Sequence, residues 1–137
     1  MNDYRKPIPQ IQPWSAPFWE GTKKHELLIQ ECAECGARIF YPRKYCPECW
    51  SSNMGWSRAR GRGRIYSHTT TMTGVETKFL EDLPFVLAII DLDEGVRMTG
   101  NVVDCDPDDV SIGMEVEVVF DDVTSEITLP KWRPVKK

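Results

Sequence analysis

The chain has 137 residues, 41% of them hydrophobic and 28% charged, with a formal net charge of −4. That length holds one domain or two very small ones, with enough apolar residues for a core. It offers no run long enough to span a membrane, its opening MNDYRKPIPQ lacks the apolar stretch of a signal peptide, and its balance is not that of a bulk nucleic-acid binder.

The expected compartment is therefore the cytoplasm, where thiols stay reduced and disulfides are rare. The charge is unevenly divided. Residues 1–64 carry eleven Lys/Arg against six Asp/Glu, net +5, and residues 65–137 carry six against fifteen, net −9. A basic front and an acidic back suggest two functional faces.

Residues 1–26 read as a helical arm. Ser15 suits an N-cap, and Pro17 suits the first turn that follows. Trp14, Phe18 and Trp19 place three large aromatics within six residues. Either they pack on the rest of the chain, or they anchor a partner, since aromatics dominate interface hot spots.

Residues 27–57 contain Cys32, Cys35, Cys46 and Cys49 in two C-x-x-C pairs ten residues apart. Each pair sits on a turn that aims two sulfurs at one point. Gly36 suits the left-handed residue closing the first turn, and Pro47 stiffens the second. Four such sulfurs form a tetrahedral site that zinc favours. Residues 27–30 read as the strand leading in and 38–41 as the strand leading away, with 42–44 turning back. This is a zinc ribbon. Iron in a rubredoxin-like site is the main rival, and a redox thiol pair a weaker one. A closed site of four sulfurs leaves no open position for Lewis-acid chemistry, so the metal is expected to replace a core that so short a segment cannot build.

Residues 58–64, RARGRGR, place Arg58, Arg60, Arg62 and Arg64 at every second position. In an extended backbone all four point to one side, as an anion site would require. The competing reading is a solvated strand edge.

Residues 58–137 then read as a five-stranded barrel. The strands are 64–72, 84–92, 96–103 and 114–120, with a last short one marked by Ile127 and Leu129; the 93–95 loop joins the second to the third. Alternation puts Val116, Val118 and Phe120 inward. A loop insertion before the fourth strand suits an OB-fold. That insertion holds Cys105 among Asp104, Asp106, Asp108 and Asp109, which disfavour its thiolate, so Cys105 is expected to be inert. Asp104 to Glu115 spans the length of a calcium loop, but Asp109 stands where such a loop needs glycine and Pro107 is unhelpful, so a solvated loop is the better reading.

The phrases PFWEG, CAECG…YPRKYCPEC, GRGRIYS, DLDEGVRMTGNVV and IGMEVEVVF, in this order, resemble the DUF35 family of acyl-CoA-associated zinc-ribbon/OB-fold proteins. The resemblance covers nearly the whole chain. It implies an auxiliary subunit of thiolase-superfamily enzymes acting on acyl-CoA thioesters. The arm docks on the catalytic partner, and ribbon and barrel flank the CoA-binding region. All four cysteines are kept, which implies structural Zn2+.

The expected fold is mainly β, with an N-terminal helical arm, a rubredoxin-like zinc ribbon and a five-stranded OB-fold barrel. The expected function is a non-catalytic subunit that docks through Trp14, Phe18 and Trp19 and helps bind CoA or acyl-CoA, with Arg58, Arg60, Arg62 and Arg64 near the CoA phosphates. No catalytic residue is assigned: His25 and His68 lack a neighbouring Ser or Cys motif, and a thiolase partner supplies its own nucleophile and acid/base groups. The alternative is a single-stranded nucleic-acid-binding OB-fold protein, against which the acidic barrel and its few aromatics weigh.

Overall fold

Residues 4–135 are described by a computed structural model. The chain runs through one short helix, a three-stranded sheet and a closed five-stranded barrel. No helix among the described residues is long and apolar enough to cross a membrane.

Helix α1 spans Ala16–Lys23, with Ser15 at its N-cap and Pro17 in its first turn. The Ser15 hydroxyl does not cap the helix. It accepts from the Gln12 N–H at 3.0 Å and donates to the Gln12 carbonyl at 3.2 Å, fixing the turn before the helix. One face, formed by Phe18, Gly21 and Thr22, is buried. That is the i, i+3, i+4 stripe of a helix lying on a core.

The first sheet places β1 (Leu28–Cys32) between β2 (Arg38–Ile39) and β3 (Met54–Arg58), all antiparallel. The sequence reading gave the strands on either side of the first knuckle but not β3. The segment MGWSR is half-buried from Met54 to Ser57 and exposed at Arg58, and shows no alternation of buried and exposed positions. It is a strand because β1 offers it an unpaired edge.

The barrel comprises β4 (Arg62–Thr71), β5 (Phe85–Leu92), β6 (Arg97–Val102), β7 (Glu115–Asp122) and β8 (Thr128–Pro134), in the order β4-β5-β6-β8-β7. It closes through antiparallel pairing of β4 with β7 and a short parallel contact, Val102 opposite Trp132. The last strand is longer than its two apolar marker residues suggested. Val116 points fully inward as expected, whereas Val118 and Phe120 are only partly buried. Phe120 instead stacks on His25, ring centroids 5.1 Å apart, where the end of the arm meets the barrel.

An apolar core joins the three parts, beside a smaller cluster of Cys32, Ile39 and Cys46 in the ribbon. Phe18 of α1 and Leu27 and Ile29 of the ribbon pack in the same cluster as Ile65, Ile90, Val116 and Trp132 of the barrel. The ribbon is thus fixed on the barrel by apolar contact as well as by the chain.

Candidate metal centre

The two cysteine turns repeat one hydrogen-bond pattern. In the first, the Cys32 N–H donates to the Ala37 carbonyl at 2.8 Å and the Gly36 N–H to the Cys32 carbonyl at 2.9 Å. In the second, the Cys46 N–H donates to Ser51 at 2.9 Å and the Trp50 N–H to Cys46 at 2.8 Å. Gly36 and Trp50 therefore hold the same place in their turns, and both are left-handed, with φ of 76° and 66°.

The turns bring all four sulfurs within 4.8 Å of one another. Cys32 Sγ lies 3.5 Å from Cys49 Sγ, and Cys35 Sγ 3.6 Å from Cys46 Sγ. A tetrahedron with metal–sulfur bonds of about 2.3 Å has edges of about 3.8 Å, so the donor set fits Zn2+. Cys32 and Cys46 are buried and Cys35 and Cys49 face outward. The Glu48 N–H donates to Cys46 Sγ at 3.4 Å.

The thiols are unequal in a way that suits a cation. The Cys35 N–H, aided by that of Glu34, stabilises the Cys32 thiolate against burial and draws its pKa down to about 7. Cys49 receives the Ser51 N–H, but burial and the three neighbouring sulfurs outweigh it and push the pKa up to about 12. Crowded thiolates repel one another, and a divalent metal removes that cost.

Gln30 was not singled out from the sequence. It is buried in β1, and its amide holds the backbone of Arg43 at both ends, which fixes the loop between the turns. Trp50 was also missed. It is 77% exposed. Its local signal was its place four residues after a cysteine, where the first turn has glycine.

The expected aromatic trio divides. Phe18 is 3% exposed and belongs to the core, meeting Phe40 at 5.7 Å. Trp19 is partly buried against it, edge-on at 4.9 Å. Trp14 is 39% exposed.

The arginine run alternates as expected. Arg58, Arg60, Arg62 and Arg64 are exposed, and Ala59, Gly61 and Gly63 between them are buried. It is not one continuous extended segment: Gly61, with φ of 77°, turns the chain between β3 and β4. Three of the guanidinium groups have carboxylate neighbours. Arg58 lies 3.5 Å from Glu26, Arg62 3.7 Å from Glu117 and Arg64 2.6 Å from Glu115. Arg60 has no ion pair among the described residues; its backbone N–H donates to Glu94 at 2.9 Å.

The remaining candidates lie elsewhere, and the buried Nδ1 of His68 has no hydrogen-bond partner among the described residues. His25 Nε2 lies 3.0 Å from Asp122, and His68 pairs with the buried Ala88 across β4 and β5. Burial, then Asp109, Asp106 and Asp104, raise the pKa of Cys105. Asp106 caps the Asp108 N–H at 2.9 Å, and among the described residues the acidic loop assembles no group of three metal ligands.

The same ribbon and barrel are found in known proteins. Residues 19–55 match the ChsH2 rubredoxin-like zinc ribbon domain, and residues 56–121 match the ChsH2 C-terminal OB-fold domain. A DUF35 domain-containing scaffold protein of Methanothermobacter thermautotrophicus is 39% identical over 105 residues, which is 76% of this chain and 78% of that protein. The chain belongs to the DUF35 family.

This DUF35 chain is also 34% identical over 129 residues to a probable enoyl-CoA hydratase alpha subunit of Thermomonospora curvata. The match takes in 94% of this chain but only 40% of the hydratase subunit, so the chain spans less than half the length of that relative. Among solved structures it superposes on a chain of the Ltp2-ChsH2(DUF35) aldolase with a TM-score of 0.82 and 34% identity, covering 93% of this chain and 98% of the other.

Proposed function

We propose that this protein is a non-catalytic subunit of a thiolase-type acyl-CoA enzyme complex. It docks on the catalytic subunit and helps hold CoA or acyl-CoA. The observation that carries the reading is the near-complete superposition on a DUF35 chain of the Ltp2-ChsH2 aldolase, supported by the hydratase alpha subunit among its relatives.

In this reading residues 1–26 are the docking arm, 27–57 the ribbon and 58–137 the barrel. Cys32, Cys35, Cys46 and Cys49 hold a structural Zn2+ that organises the ribbon and takes no part in turnover. Trp14 serves as the arm's anchor, because Phe18 is engaged in the core, and Trp50 adds a second exposed aromatic on the ribbon. Among the four arginines, Arg60 is the one whose guanidinium has no ion pair with the described residues and is offered to a CoA phosphate, while Arg58, Arg62 and Arg64 would have to exchange a carboxylate for it.

The test is affinity purification of the tagged chain from its native host, comparing wild type with Trp14→Ser. We expect a thiolase-superfamily subunit to accompany the wild type and to be lost from the variant, with zinc content equal in both. A chain recovered without any acyl-CoA enzyme overturns the reading. If single-stranded DNA or RNA is retained instead, with binding that falls steeply as salt rises, the nucleic-acid alternative replaces it.

A further inference from the structure

We propose that a cleft on the barrel, lined from β5, β6 and β8, binds an uncharged apolar small molecule. The cleft lies apart from the four clustered cysteines Cys32, Cys35, Cys46 and Cys49 and from the arginine run, and the proposal does not depend on the assembly described above.

The cleft encloses about 680 Å³. That is within the range of sites that take up a whole small-molecule ligand. Phe79, Phe85, Leu87, Val103 and Leu129 supply much of its apolar wall. Phe79 comes from the 3-10 turn Thr77–Asp82, and its ring stands 6.5 Å from that of Phe85, tilted by 48°. Leu87 is 40% exposed although it sits in the middle of β5, so among the described residues this part of the wall is left uncovered.

The charged groups around the cleft argue for a neutral occupant. Lys6 is paired with Asp82. Lys131 is paired with Asp121 at 2.6 Å. The Glu76 carboxylate accepts the Lys78 N–H at 2.9 Å. The side-chain amide of Asn101 donates to the Val86 carbonyl at 3.3 Å. A charged ligand would have to break one of these contacts or be buried without a counter-charge, and both are costly. An apolar body displaces only water and gains with the area it covers. Cys105 also lines the cleft. Burial and the nearby carboxylates disfavour its thiolate, so the cleft holds a molecule without reacting with it.

The test uses the full zinc-loaded chain and Nile red, a neutral fused-ring dye whose fluorescence rises in apolar surroundings. We expect saturable binding at one site. Leu129→Trp, which fills the cleft, weakens it at least tenfold. Ile112→Ser changes an apolar residue that is 72% exposed and does not line the cleft, and it leaves binding unchanged. Saturating dye slows N-ethylmaleimide alkylation of Cys105 at least threefold in the wild type and not in the filled variant. If Leu129→Trp does not fold, as judged by zinc content and circular dichroism, Val103→Trp takes its place. No saturable binding, equal binding to the filled variant, or equal weakening by Ile112→Ser overturns the proposal. So does displacement of Nile red by 8-anilinonaphthalene-1-sulfonate at an affinity equal to that of the neutral dye.

Discussion

The side chain of Gln30 and the backbone of Arg43 exchange two hydrogen bonds, Nε2 donating to the carbonyl and Oε1 accepting from the N–H, each 2.7 Å long. Gln30 thereby acts as a substitute strand for a loop that leaves β2 after Ile39. Gln30 is 2% exposed, while Arg43 itself is exposed, so the contact is buried from one side only. Gln30→Leu removes both hydrogen bonds and is expected to cost about 1–3 kcal/mol, at about 0.5–1.5 kcal/mol for each. Gln30→Glu keeps the acceptor but turns a buried carboxylate oxygen toward the Arg43 carbonyl, and is expected to cost at least as much as Gln30→Leu at pH 7. Urea unfolding of the zinc-loaded proteins measures both.

Metal removal is expected to act on the ribbon first. A strong chelator should release about one zinc per chain and expose four further thiols to a thiol reagent. Amide exchange should then lose protection over residues 28–58 while β5 keeps most of its own. Because Leu27 and Ile29 sit in the core shared with the barrel, the barrel's midpoint should also fall. An unchanged exchange pattern after complete zinc release would show that the metal does not hold the ribbon.

Trp50 occupies a left-handed position where Gly36 stands in the matching turn. A bulky residue there costs about 1–3 kcal/mol, and glycine itself loses about 0.5–1 kcal/mol through its greater freedom in the unfolded chain. With its side chain 77% exposed, little packing offsets the strain. Trp50→Gly is therefore expected to raise stability, by up to about 2.5 kcal/mol, in thermal or urea unfolding. If the chain docks on a catalytic subunit as proposed, the same change is expected to weaken that subunit's recovery, since strain kept at an exposed aromatic points to a use outside the folded chain.

Asp122 carries a pH-dependent part of the stability. The Thr128 hydroxyl donates to its carboxylate at 2.6 Å, and His25 Nε2 lies 3.0 Å away; together they hold its pKa below the ordinary 3.8. A carboxylate whose folded pKa is depressed contributes fully above its unfolded pKa, and the contribution fades as pH falls through the folded value. Thr128→Val is expected to be less stable than wild type at pH 7. The gap should narrow steadily below pH 3.8. A gap of constant size down to full protonation would assign the loss to packing of the new methyl group rather than to the carboxylate.

The metal site and most of the barrel were legible in the sequence because they are encoded locally. Two residues between paired cysteines bring their sulfurs to one point through the turn alone, and alternating apolar residues mark strands such as β7 wherever the sheet lies. The outward alternation of the arginine run was readable for the same reason. Its ion pairs were not, because Glu115 and Glu117 reach Arg64 and Arg62 only through the β4–β7 register, which joins residues about fifty positions apart. Phe18 lies on the buried face of α1, whereas Trp14 lies before the helix begins, and which of them the core takes up depends on how the helix is laid on it. The length of β8 depends on Trp132, which is fully buried over Gly100: a Cβ there would stand 2.7 Å from Trp132 Cδ1. The apolar cleft needs residues from four separate segments. Spacing along the chain sets the direction of a side chain, but what it meets there is decided by strand order and register, and these come from burial of the whole core at once.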